Sequence, residues 1–137
     1  MRKKIITVIA LALIFSFCLS VPAFAWDVRS NPIISYTYGS IGDGGNGNII
    51  ITFYVLAKGE CSTIGASQID LYSSNGAFKK TFYSDAYVTM LTQDNYSYMS
   101  SVDYPGTDGE KYYANITFYA VKDGESTTYV HTTSVGP

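Results

Sequence analysis

The chain is short of nearly everything that reactive chemistry or nucleic-acid binding requires. It has one histidine, His131, and two cysteines, Cys18 and Cys61, in 137 residues. Charged residues make up 15% of it, and the nine basic ones form no cluster outside Arg2, Lys3 and Lys4. Without a patch of Lys and Arg there is nothing to hold phosphate, so nucleic acid is excluded as a partner. A lone histidine leaves Ser-His-Asp, Cys-His and His-based metal constellations a single possible centre. Amphipathic helices are missing too, since no window places apolar residues convincingly at i, i+3, i+4 and i+7.

What is present begins with an export signal. Arg2, Lys3 and Lys4 precede an apolar run from Ile5 to Leu19, and Ala23-Phe24-Ala25 offers small residues where a signal peptidase reads. Together these predict a secretory signal peptide over residues 1–25, cleaved after Ala25. A membrane anchor is disfavoured because the run of about 15 residues falls short of the ~20 that a spanning helix needs. Pro22 also breaks a helix just before the cleavage site. Lipidation is disfavoured because Cys18 follows Phe15-Ser16-Phe17 rather than small residues. The compact, lysine-rich signal looks bacterial. The expected location is secreted, extracellular, with no membrane span after cleavage.

Cleavage leaves residues 26–137, 112 of the 137, enough for one domain and too few for two. Three basic residues leave with the signal and all eleven acidic ones stay, so the net charge moves from −2 to −5. Cys18 leaves as well, and Cys61 alone closes no intramolecular disulfide. An exported domain of this size is then held together by its core. Cys61 either pairs between molecules or lies under the sheet as a small hydrophobe, the commoner fate of a free cysteine.

The remaining composition favours sheet. All thirteen tyrosines follow the signal, and Tyr, Thr, Val, Ile and Phe suit a pleated, half-buried surface. Period-two alternation marks about seven strands. Ile33 to Tyr38 comes first, with Ile34, Tyr36 and Tyr38 on one face, and Gly39 to Asn48 reads as a glycine-rich loop. Asn48 to Ala57 is the strongest strand, with Ile49, Ile51, Phe53 and Val55 on one face and Thr52 and Tyr54 on the other. Ser67 to Tyr72 turns Ile69 and Leu71 inward and Gln68, Asp70 and Tyr72 outward. Asn75-Gly76 then predicts a type I′ hairpin returning through Ala77 to Tyr83. Asp85 to Asn95 carries at most a short strand near Tyr87 to Leu91, and Tyr96 to Tyr104 alternates before a turn at Pro105 to Gly109. Lys111 to Val121 places Tyr112, Ala114, Ile116, Phe118 and Ala120 on one face. Lys122 to Glu125 turns the chain into a last strand, Ser126 to Val135.

That ending, a Gly-rich turn, then Tyr112-x-Ala114-x-Ile116-x-Phe118-x-Ala120, then a short turn with Gly124, resembles the close of a fibronectin type III or immunoglobulin-like domain. The resemblance spans roughly Asn48 to Val135 and rests mainly on Gly109 to Val135. It implies an all-β fold, an antiparallel two-sheet sandwich of about seven strands. In that fold Tyr112 would be a corner tyrosine, its hydroxyl bonded to backbone just upstream. Ala114 stands where antibody domains carry their second cysteine, and the third strand has no Trp, so an antibody-type domain is excluded. The expected core between the sheets includes Ile51, Phe53, Ile116 and Phe118. A fold of this kind implies no particular activity.

The chemistry-bearing residues are few. His131 lies on a Thr-rich terminal strand and reads as a solvent-facing structural residue. Of the carboxylates that could act in pairs, Asp43, Asp108, Glu110, Asp123 and Glu125 sit in turns, which recruit such residues for local hydrogen bonds. Asp70 lies mid-strand but points to solvent. Residues 42–48 offer Asp43, Asn46 and Asn48 to a calcium ion, yet a single carboxylate is a poor ligand set, and the segment reads as a flexible connection. No catalytic, metal or cofactor-binding residue is assigned, and no cofactor is expected. The tyrosine excess is the remaining signal. Tyr54, Tyr72 and Tyr119 lie opposite the principal core, where they either line the sheets or offer flat area for a sugar or a protein. Two functions are consistent with this. One is a secreted, non-enzymatic binding or adhesion module with a protein or glycan ligand. The other is a structural, self-associating component of an extracellular layer or matrix, joined through sheet edges.

Overall fold

The computed structural model describes residues 30–137, so the expected signal segment 1–25 and its cleavage site lie outside the described residues. Six strands follow in chain order: β1 (Ile34–Gly45), β2 (Asn48–Ser73), β3 (Phe78–Tyr83), β4 (Leu91–Tyr104), β5 (Tyr112–Lys122) and β6 (Glu125–Thr132). A 3-10 turn over Val88–Met90 leads into β4, where a short strand at Tyr87 to Leu91 was conceivable from sequence. The strands form one antiparallel sheet that curls on itself.

The spine of this sheet is β2, 26 residues long. Its first half carries β1 along one side and β4 along the other. Past an irregular stretch around Lys58–Glu60, β5 replaces β1 from Thr63 to Ser73, and β3 replaces β4 from Gln68 to Tyr72. The separate strands expected at 48–57 and 67–72 are therefore one, which makes six strands rather than seven. Lys58, Gly59 and Glu60 break the alternation that would have announced the continuity. At Gly65, β2 bears Leu91 of β4 and Tyr119 of β5 at once. A Cβ there would lie 2.2 Å from the Met90 carbonyl oxygen, at a φ of +151°, so only glycine fits the handover.

The expected loop from Gly39 to Asn48 is mostly strand. Ile41, buried, pairs with Ile51, and β1 runs on to Gly45. Asn46 and Gly47, at φ 55° and 78°, make the turn, and Gly45, the last residue of β1, is left-handed as well at 84°. Two consecutive left-handed residues of this kind match the twist of the strands they join. At the expected type I′ turn the geometry differs: Gly76 alone is left-handed, at φ 90°. The Gly76 N–H donates to Ser73 O at 2.9 Å and the Ser73 N–H to Ala77 O at 2.9 Å, giving a three-residue loop with a glycine bulge. The Asn75 Oδ1 accepts the Ala77 N–H at 3.0 Å.

Faces follow from register. A shift between Ile34 and Tyr36 turns Ile34 into the core and Tyr36 and Tyr38 out to solvent, so these three do not share a face. One extra residue is enough to exchange the faces of everything beyond it. Elsewhere the alternation holds: Ile51, Phe53, Ile116 and Phe118 have no exposed surface. The Phe53 and Phe118 rings meet edge to face with centroids 6.2 Å apart. Burying each such side chain stabilises the fold by about 1.5–3 kcal/mol. The curl brings β1 and the residues just before it against β6, where Asn31 Nδ2 donates to Thr127 Oγ1 at 2.9 Å. Tyr112 is 1% exposed, and its hydroxyl accepts the Thr107 N–H at 2.8 Å and donates to Glu110 Oε2 at 2.8 Å. The hydroxyl thus does bond backbone upstream. β6 ends at Thr132 rather than Val135; beyond it the register slips by one residue, and Gly136 exchanges two backbone hydrogen bonds with Tyr112 at 2.8 and 2.9 Å.

Candidate functional site

The outward face of β3, β2, β5 and β6 is built by the alternation of Gln68, Asp70 and Tyr72 with buried Ile69 and Leu71. Pairing sets their neighbours. Tyr72 lies between Phe78 of β3 and Tyr113 of β5, and Asp70 between Thr81 and Asn115. The Tyr72 and Tyr113 rings stack at 5.2 Å and 13°, and Phe78 meets Tyr72 at 5.9 Å and 71°. Phe78 keeps 60% of its surface exposed. Three rings therefore form a row across three strands, two of them phenols.

A polar row lies beside them. Gln68 Nε2 donates to both Asp70 oxygens at 3.0 and 2.9 Å, and Thr81 Oγ1 donates to Asp70 Oδ1 at 2.6 Å. Thr132 Oγ1 donates to Asn115 Oδ1 at 2.8 Å. These bonds fix the side chains while leaving the Asn115 amide hydrogens and the second acceptor sites of Asp70 open. Two of the three nearby lysines are occupied, while Lys111, two residues before Tyr113 and opposite Ser74, is exposed. Lys79 Nζ lies 2.9 Å from Glu110 Oε1, and Lys80 Nζ donates to the Tyr87 hydroxyl at 2.8 Å above the Phe82 ring. The Lys79 hydrogen bond, then that from Tyr112, holds the Glu110 carboxyl below the usual carboxylate range, and Glu110 in turn raises Lys79. The face thus presents stacked rings beside fixed amide and carboxylate groups.

The opposite outward face, on β1, β2 and β4, is more apolar. Its rows run Tyr36–Leu56–Ser97, Tyr38–Tyr54–Met99 and Ser40–Thr52–Ser101. Tyr36 and Tyr54 meet at 6.1 Å, and Met99 is 64% exposed. None of these rows contains a charge.

The residues singled out from sequence are scattered. His131 is half-buried rather than solvent-facing, and its Nδ1 lies 3.4 Å from Thr37 Oγ1; burial pushes its pKa below the ordinary histidine value. Cys61 is buried, 3.5 Å from the Gly59 carbonyl. Burial raises the thiol against a smaller opposing pull from Lys122, which makes it a poor nucleophile. Residues 42–48 belong mainly to the β1–β2 hairpin, where Asp43 Oδ1 accepts the Gly45 N–H at 2.8 Å. Among the described residues no three His, Cys, Asp or Glu side chains gather to hold a metal ion. Two clefts of about 240 and 270 Å³ flank this hairpin, lined by Asp43 and Asp108 in one and Asp103 and Tyr104 in the other. Both are smaller than the ~300 Å³ at which small-molecule pockets begin.

Tyr54, Tyr72 and Tyr119 do face away from the core, each half-buried on its strand. Phe78 opposite Tyr72 was within reach of the hairpin logic at Asn75-Gly76. Tyr113, Tyr36 and Tyr38 were not singled out. Tyr113 joins Tyr72 only through the distant β2–β5 pairing, and the other two reach the surface only because of the register shift near Ile34. No protein-family model, curated protein or solved structure matches this chain.

Proposed function

We propose that this chain is exported and serves outside the cell as a non-enzymatic binding module whose contact surface is the outward face of β3, β2, β5 and β6. The observation that carries this reading is the Phe78–Tyr72–Tyr113 ring row beside the hydrogen-bonded set Gln68–Asp70–Thr81 and Asn115–Thr132. Rings supply apolar area at low entropic cost, and the fixed polar groups supply direction. A glycan suits both, because a sugar ring has an apolar C–H face and a rim of hydroxyls that donate and accept.

A β-sandwich of fibronectin type III or immunoglobulin-like form is the fold reading that goes with this function. It is supported by the hydroxyl of Tyr112 on Thr107 and by the approach of Phe53 to Phe118 across the curl. A non-enzymatic role is supported by the isolation of His131 beside Thr37 and of Cys61 in the core. Export is supported by the signal-like first 25 residues.

A glycan array and a pull-down with residues 26–137 test the proposal, run beside the Tyr72→Ser/Phe78→Ser variant. The expected result is glycan capture that the variant loses at least about tenfold while its far-ultraviolet circular dichroism is retained. Capture that survives the variant, or capture of proteins alone, would move the site elsewhere.

A further inference from the structure

The four edge strands of the curled sheet are not equally protected. β3 is six residues long and carries Lys79 and Lys80. β6 has its Thr128 carbonyl approached by Asn31 Nδ2 at 3.5 Å. β1 has register shifts near both ends and glycines at 39 and 42 within it. Short length, lysines, bulges and covering groups are the usual means by which an edge is kept from pairing. β4 has few of them. It runs for 14 residues, Leu91–Tyr104, with no Lys, Pro or Gly. It pairs only with β2 among the described residues. Its regular part, Ser97–Tyr104, matches Ile49–Leu56 residue for residue, and between Asn95 and Val102 it has no charge.

We infer that the free edge of β4 pairs antiparallel with β4 of a second copy of this chain, joining two curled sheets into one. This goes beyond the binding reading and does not depend on it. The choice of a second copy rests on the self-complementarity of the edge. In an antiparallel pair the two facing residues present their backbone groups alike, so one strand pairs with its own copy only between positions of equal parity. Centred on Ser100, such a pair sets Met99 opposite Ser101 and Ser97 opposite Asp103 of the second copy. Each Asp103 carboxylate then meets a serine hydroxyl that can donate to it, and no carboxylate faces another. The uncharged row Tyr38–Tyr54–Met99 is carried to the junction on both sides, so the apolar outward faces become continuous across the pair. A partner with lysines would suit the overall acidity of the chain, but the central residues of β4 offer such a partner no carboxylate.

Sedimentation of residues 26–137 across a concentration range tests this. Three samples are compared: the native sequence, Met99→Lys/Ser101→Lys, and Tyr38→Lys/Ser40→Lys as a charge-matched change on the β1 edge of the same face. The inferred pairing puts two lysines opposite two lysines in the β4 variant. The expected result is a reversible dimer that the β4 variant weakens at least about tenfold and the β1 variant leaves within about twofold. Added salt should strengthen the native dimer by screening the like net charges of the two copies. A chain that stays monomeric at every concentration overturns the inference. So does a dimer that the β4 variant leaves intact, or one that both variants weaken equally.

Discussion

Tyr112 shows how a single side chain ties three segments together. Its ring is buried against Tyr104, with centroids 6.0 Å apart, and its hydroxyl holds Thr107 and Glu110 of the preceding turn. Tyr112→Phe keeps the ring and strands the Thr107 N–H, so it should destabilise by about 0.5–1.5 kcal/mol in a denaturant titration. Tyr113→Phe, with its ring outward on Tyr72, should be close to neutral, and the reverse order would mean that β5 is displaced by one residue. The position of Tyr112 was legible from alternation alone, since Tyr112, Ala114, Ile116, Phe118 and Ala120 are all buried. His131 was less legible. Its strand alternates Thr with Tyr and Val, and nothing local says that β1 will cover it. That cover gives a sign for its pH dependence. Burial lowers the folded-state pKa, so below the ordinary histidine range the unfolded chain binds the extra proton and the folded chain resists it. Stability should therefore fall as pH drops below about 6.5, and His131→Gln should flatten that part of the profile.

Among the elements, β2 departs furthest from what local pattern indicates. Its two halves were readable, Ile49 to Val55 and Ile69 to Leu71, because each alternates cleanly. The join was not, because Lys58, Gly59 and Glu60 look like a connection and because the inward set, odd through Cys61, passes to Ile64 and Ala66 before returning to odd positions at Ile69. Gly65 marks the place where the long strand changes partners. Gly65→Ala puts a methyl group into the backbone of Met90 and Leu91, which cannot yield as a flexible side chain would. A loss of about 3 kcal/mol or more is expected in thermal or denaturant unfolding, against about 1–2 kcal/mol for Gly109→Ala, where only the left-handed backbone is strained. The latter has a φ of +79° but open space around it. Equal losses at the two sites would mean that backbone conformation, not the approach of β4, sets the demand for glycine. The hairpin turns teach a related lesson. Asn46-Gly47 forms the two-residue turn that Asn75-Gly76 was expected to form. Loop length settles the difference, and it is fixed by which residues pair across the strands.

At the scale of the whole molecule, the curl sorts the tyrosines into two outward faces with different chemistry. The face on β1, β2 and β4 is uncharged and apolar along its central rows, whereas the face on β3, β2, β5 and β6 sets rings beside fixed polar groups. Tyr54, Tyr72 and Tyr119 were readable as outward residues because their strands alternate. Their grouping was not, because Tyr72 and Tyr113 meet only through a pairing of residues 41 positions apart. The expected loop-borne sites fared differently, since the glycines around Asp43 serve β1 and its tight turn. The proposed contact of ligand with the Tyr72 face has a direct readout. It is tested most directly by following amide resonances of residues 26–137 as a captured glycan is titrated in. Shifts should concentrate at Gln68, Asp70, Tyr72, Phe78, Tyr113 and Asn115 and leave Tyr38, Tyr54 and Met99 unmoved. Shifts confined to the β1–β2–β4 face, or to the turns at Asn46 and Asp108, would contradict it.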